Sequence, residues 1–171
     1  MSYVDPATIL TTDPGDVLTA AWCDTVRDDL EALIDPPACS VYHNTTQTKT
    51  TGTSLSALSA NSENYDNDSM HSTVTNNSRI TIQTAGRYEV GVVLSWAASA
   101  TGNRALAFTV NGTTDYVVDI RTGTASNSTA ISGSRTLVLA AGDYVEPSVW
   151  QSSGGDLNAT LSEMYAIFRT R

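Results

Sequence analysis

The hydrophobic period of the chain changes near residue 38. Before it, Trp22, Val26, Leu30, Leu33 and Ile34 fall at i, i+4, i+8, i+11 and i+12, one stripe of a 3.6-residue helix over residues 19–34. Thr19 suits the N-cap, and Asp24, Arg27, Asp28, Asp29 and Glu31 fill the remaining surface. Pro36-Pro37 ends the helix, because proline lacks the donor and clashes with the preceding turn. Upstream, Asp13-Pro14-Gly15-Asp16 reads as a turn. A stripe of this kind packs on its own domain or on another protein, and the pattern leaves both open.

From Cys39 onward the period is two. Tyr88, Val90, Val92, Leu94 and Trp96 alternate with Arg87, Glu89, Gly91, Val93 and Ser95, a strand with one strongly buried face. Leu106, Phe108 and Val110 alternate in the same way and lead into Asn111-Gly112, a pair favoured in hairpin turns because both residues tolerate positive φ. Further strands are expected near 39–43, 54–59, 79–84, 116–121, 130–139, 144–151 and 160–168, separated by Gly- and Asn-rich turns. Many short, evenly spaced strands mean an all-β antiparallel sandwich or jelly roll. The expected layout is an arm over 1–37 and a β domain over 38–171.

The last strand departs from the rule. Leu161, Tyr165 and Ile167 mark one face, yet Met164, Ala166 and Phe168 make the other apolar too. A strand with one solvated face should not look like this. It lies centrally between layers, or another subunit covers its outer side; Met164, Tyr165, Ala166, Ile167 and Phe168 are the candidate subunit contact.

Composition narrows the function classes. Only 16% of residues are charged, below the roughly 25% of soluble domains; Thr, Ser and Asn supply the polarity. Lys49 is the sole lysine and the formal net charge is -9, so phosphate backbones would be repelled and no nucleic-acid partner is expected. No apolar run reaches the ~20 residues of a membrane span, and the N-terminus lacks the basic and apolar regions of a signal peptide. Cys23 and Cys39 read as two buried free thiols. Six N-x-S/T sequons, at Asn44, Asn67, Asn76, Asn111, Asn127 and Asn158, read as turn and strand-edge chemistry.

One stretch invites a metal. Glu63-Asn64-Tyr65-Asp66-Asn67-Asp68-Ser69-Met70-His71 holds three carboxylates and a histidine, and alternate carboxylates suit calcium loops. The full calcium-loop signature also needs a Gly at its sharp turn and a late Glu. Here no Gly occurs between Gly52 and Gly86, and no Glu between Glu63 and Glu89. Asn, Asp and Ser also bond their own backbone in turns, and turn chemistry is the preferred expectation. His43 and His71 are the only histidines, and neither sits in a motif pairing a base with a nucleophile. Paired carboxylates for glycan hydrolysis stay open, since their spacing is spatial. The expectation is no enzyme, no catalytic residue, no cofactor and no metal.

Six pieces in order then resemble a known family. They are Tyr65-Asp66-x-Asp68-x-Met70-His71, Ser78-Arg79-Ile80-Thr81, Ala85-Gly86-x-Tyr88, Ala97-Ala98-x-Ala100-Thr101-Gly102-x-Arg104, Asn111-Gly112-Thr113-Thr114 and Leu139-Ala140-Ala141-Gly142-Asp143-Tyr144-Val145-Glu146. The order, over roughly residues 38–169, resembles the C1q/TNF-like jelly rolls of tailed-bacteriophage virion proteins. The arm, with Gly15-Asp16-Val17-Leu18-Thr19-Ala20-Ala21-Trp22, is similar to N-terminal segments of phage structural proteins. Two departures stand out: Pro147 inside a strand, which implies an edge or a bulge, and the ending Glu163-Met164-Tyr165-Ala166-Ile167-Phe168 in place of the eukaryotic one.

The resemblance implies a homotrimer whose inner sheets meet around a threefold axis, and it leaves calcium open at the 63–71 stretch. It implies a capsid decoration or head-fibre protein on the virion exterior. The arm would anchor it to the major capsid protein or another virion protein through Trp22, Val26, Leu30, Leu33 and Ile34. The alternative is a tail-associated receptor-binding protein recognising a host surface glycan or protein; the absence of a shaft between arm and head favours the first.

Overall fold

A computed structural model describes residues 19–170 of the chain. The turn expected at Asp13–Asp16 and the first part of the arm lie outside the described residues. The chain divides into two compact units, Met1–Pro37 and Ala38–Arg171.

In the first unit, helix α1 runs Ala20–Ile34. Thr19 caps it: the Trp22 amide donates to Thr19 Oγ1 at 3.2 Å, satisfying one of the amides a helix start leaves unpaired, and the Cys23 amide makes the first helical bond to the Thr19 carbonyl at 3.1 Å. Arg27 bridges Asp24 and Asp28 at 3.0 and 3.1 Å. Cys23 is exposed and only Cys39 is buried, so the expectation of two buried thiols holds for one of them.

The second unit is a sandwich of two antiparallel sheets. Its strands are β1 (Ala38–Tyr42), β2 (Gln47–Lys49), β3 (Ser56–Ala57), β4 (Ser62–Asp66), β5 (Ile80–Thr81), β6 (Gly86–Trp96), β7 (Asn103–Val110), β8 (Thr114–Thr122), β9 (Thr129–Leu139), β10 (Tyr144–Gln151) and β11 (Leu157–Thr170). The six-stranded sheet has the order β4-β1-β11-β6-β9 with β2 on β11; the five-stranded sheet is β3-β10-β7-β8 with β5 also on β10. The β6 alternation folds as expected, with Tyr88, Val90, Val92, Leu94 and Trp96 all buried between the layers. They meet Leu106 and Phe108 of β7 and Val145 and Val149 of β10 in one apolar core. At the β7–β8 turn, Asn111 and Gly112 have φ of 52° and 68°, and the Thr113 amide closes on the Val110 carbonyl at 3.1 Å.

Three expectations change. The 63–71 stretch is not all loop, because Ser62–Asp66 is a strand pairing with β1. Pro147 is on neither an edge nor a bulge, since β10 has neighbours on both sides. The Pro147 carbonyl accepts from the Leu58 amide at 2.8 Å, so its missing N–H falls on the flank that β5 and β3 share. β5 meets Tyr144 and Val145, β3 meets Ser148 and Val149, and the proline occupies the gap where no ladder bond is needed.

The third change concerns β11. Its pairing with β6 slips between Leu161 and Glu163, a bulge that adds one residue and reverses the alternation. Leu161, Met164 and Ala166 therefore all point into the chain's own core, at 0%, 1% and 0% exposure. Phe168 follows them and meets Tyr88 edge to face at 5.5 Å between centroids. The bulge brings Leu161 onto the same face as Met164 and Ala166, while beyond it Tyr165 and Ile167 keep the outward face apolar as well.

Candidate functional site

The outward face of the six-stranded sheet is built in cross-strand rows. One row runs across it through Tyr65 of β4, Ser40 of β1, Tyr165 of β11, Gly91 of β6 and Ser134 of β9. The Tyr165 ring lies directly over Gly91, where any Cβ would collide with it. Gly91 is thus the only residue that lets the ring lie flat on the sheet. The next row contains Ala38, Ile167, Glu89 and Thr136. A third pairs Glu163 with Val93 and Ser132.

Polar groups on this face are tied to one another. The Ser40 hydroxyl donates to Glu163 Oε1 at 2.8 Å and accepts from Asn64 Nδ2 at 3.0 Å. Tyr165 donates its phenol proton to Glu89 Oε1 at 3.2 Å, and Arg169 closes on the same carboxylate. The Arg169 hydrogen bond, then that of Tyr165, holds the Glu89 carboxyl below its ordinary value. Burial, then the Glu89 hydrogen bond, pushes the Tyr165 phenol up. Tyr65, Val93 and Val138 remain open to solvent at 46%, 41% and 79%. Aromatic and aliphatic groups at the centre, with charges paired locally and small hydroxyl residues on β9, make a flat surface suited to contact another sheet.

Of the five expected contact residues, Tyr165 and Ile167 lie on this face. Met164 and Ala166 cannot contact another subunit, because they are buried in the chain's own core, and Phe168 packs beside them. The alternation of β6 was the signal for Val93, which shares a face with Glu89 and Gly91. No sequence signal marked Ser40 or Asn64. In the arm, Leu30, Leu33 and Ile34 are 51%, 78% and 83% exposed, while Trp22 and Val26 are half-buried.

The motif residues act as fasteners of the turns. Asp66 accepts from the backbone amides of Asp68, Met70 and His71 at 3.3, 3.0 and 2.9 Å, the local bonding that Asp favours in turns. The His71 side chain is buried, its Nδ1 2.8 Å from Glu63 Oε1 and its Nε2 3.3 Å from the Asn77 carbonyl. Arg104 is buried without a carboxylate and donates instead to the carbonyls of Thr101, Asn103 and Ser99 at 3.0 to 3.1 Å. Asn111 and Asp143 clasp two turns, Asn111 Nδ2 donating to Asp143 Oδ1 at 2.8 Å and the Tyr144 amide to Asn111 Oδ1 at 2.9 Å. Arg79 stacks 3.9 Å over the Tyr144 ring and pairs with Glu146 at 3.3 Å.

Reactive pairings are not assembled from these groups. Ser59 Oγ lies 3.5 Å from His43 Nδ1 but donates to Gln47 Oε1 at 3.0 Å. Among the described residues no group of three or more His, Cys, Asp or Glu is arranged to hold a metal ion, and no helix is long and apolar enough to cross a membrane. Burial, then the charges of Asp66 and Glu63, pushes the Cys39 thiol far up, which keeps it a protonated core group.

No protein-family model matches the chain, and no curated protein matches it either. Solved structures do. The globular domain of zebrafish complement 1qA protein superposes with a TM-score of 0.57 at 20% identity, covering 79% of this chain and 98% of that one. Eiger TNF from S. frugiperda gives 0.55 at 16% identity, over 78% and 94%. Murine APRIL gives 0.51 at 7% identity, over 77% and 98%. The fold is a C1q/TNF-like jelly roll, preceded among the described residues by helix α1.

Proposed function

We propose that this chain is a non-enzymatic structural protein that assembles as a homotrimer through the outward face of its six-stranded sheet. It serves as a capsid decoration or head-fibre protein on the exterior of a tailed-phage virion. Residues 1–37 join it to the major capsid protein or another virion protein. The observation that carries this reading is the Tyr165–Gly91 row: a tyrosine laid flat on a sheet, flanked by exposed Tyr65 and Val93. Exposed aromatic and aliphatic groups gathered on one sheet face mark a contact surface. The jelly-roll fold and the six motifs in order support the trimer and the virion role.

Two substitutions on one strand test the assembly. Ile167→Asp puts a charge on the proposed contact, where burying an aliphatic side chain is worth about 1.5–3 kcal/mol, and should leave folded monomers. Met164→Asp puts the same charge into the core and should unfold the chain. Sedimentation equilibrium at micromolar concentration reads the mass, and circular dichroism the fold; a monomeric wild type would sink the trimer. For the virion role, gold-labelled antibody on purified particles should decorate heads. Label at the tail would shift the reading to a receptor-binding protein, and unlabelled particles would overturn it.

A further inference from the structure

Helix α1 holds a second pattern besides its broad stripe. Cys23, Val26, Leu30 and Leu33 are spaced three, four and three residues apart, the a and d positions of a heptad seam. Asp24, Asp28 and Asp35 then take outer positions, and Arg27, beside the seam, is held within its own helix by Asp24 and Asp28. Two seam leucines are more than half exposed. A 15-residue helix is marginal by itself in water and takes its stability from a covered apolar face.

We infer that three α1 helices, one from each copy, pack side by side as a short parallel coiled coil along Cys23, Val26, Leu30 and Leu33. This rests on the trimer proposed above. The tether argues for that occupant. Asp35, Pro36 and Pro37 alone separate Ile34 from Ala38, a span of at most about 14 Å. Ala38 itself sits in the Ile167–Glu89 row of the proposed contact face. A trimer meeting on that face gathers the three starting points of β1 together, and short tethers raise the effective concentration of the helices to about millimolar. A seam of four layers, too short to associate when free, then has a covered partner. Ile34, 83% exposed, flanks the seam and is left for the virion contact.

Cys23 supplies the readout. It is exposed, whereas Cys39 is buried and protonated, so mild oxidation of the full chain with copper-phenanthroline should join pairs of Cys23 thiols between copies. Two thiols give one disulfide, two protons to the solvent and two electrons to the copper reagent. The expected result is a dimer band on a non-reducing gel from a protein of trimeric mass. Cys23→Ser should abolish the band, and Leu30→Asp should abolish it while the mass stays trimeric. A trimeric wild type with no Cys23 cross-link overturns the coiled coil and leaves the sheet-face trimer standing. Cross-linking that persists in Leu30→Asp also overturns it, as the mark of loose arms colliding. A monomeric wild type removes the trimer and the coiled coil with it.

Discussion

Truncating Asp66 to alanine separates a turn fastener from a cation ligand. The carboxylate accepts three backbone amides, of which the Met70 and His71 bonds at 3.0 and 2.9 Å are well formed and the Asp68 bond at 3.3 Å is marginal. A hydrogen bond to a charged acceptor contributes about 1.5–3 kcal/mol. The site is half-buried, so water replaces part of the loss, and about 3 kcal/mol in all is expected. At the sensitivity of a domain of this size, that is a fall in Tm of roughly 6–12 °C. Asp66→Asn keeps one acceptor oxygen and should lose about half as much. Thermal melts at one fixed protein concentration, each with and without excess EDTA, provide the assay. Were a cation held here at a hundredfold excess over its Kd, chelation would remove about 2.7 kcal/mol from the wild type. The reasoning fails if Asp66→Ala melts within about 1 °C of wild type, or if EDTA causes a large calcium-reversible drop.

Two further outcomes follow from groups already described. Arg104→Lys should lower the urea midpoint nearly as much as Arg104→Met, because one ammonium cannot span the carbonyls of Ser99, Thr101 and Asn103 as a guanidinium fork does; a lysine variant as stable as wild type would refute this. Burial, then the nearby Asp66 charge, raises the Asp68 carboxyl above its ordinary value. A raised carboxyl contributes stability that is complete below its unfolded value, about 3.9, and is lost as pH rises through the folded one. Asp68→Asn should therefore melt above wild type at pH 7 and match it near pH 3, as read from Tm against pH.

Much of this fold was legible in the sequence, because strands such as β6 and β9 have one side toward the core and the other away from it. The alternation of Tyr88 to Trp96 and the Asn111-Gly112 pair each reflect a local requirement. Strands β2 and β4 were missed for the opposite reason. Gln47-Thr48-Lys49 and Ser62-Glu63-Asn64-Tyr65-Asp66 carry no apolar alternation, since β2 is a short flank and β4 an edge, held by pairing with β11 and β1. The expected contact took in both parities of β11. With both faces apolar, the pattern alone does not say whether Met164 and Ala166 or Tyr165 and Ile167 face the core. The bulge before Glu163, which sets this relative to Leu161, leaves no mark in side-chain chemistry. The bonds from Ser40 to Glu163 and Asn64 span 123 and 24 residues, a juxtaposition that only the sheet order creates.

Gly91 and Tyr165 have a shared evolutionary fate. A methyl at 91 lifts the ring, and a smaller group at 165 uncovers a bare strip of backbone, so neither position can drift alone without disturbing the face that both define. Contacting residues of this kind do not combine additively. Lineages would cross from this pair to another only by way of a poorly packed intermediate, or by two changes arriving together. In a set of natural variants the two positions should therefore read as a single inherited character, with glycine at 91 wherever an aromatic ring stands at 165.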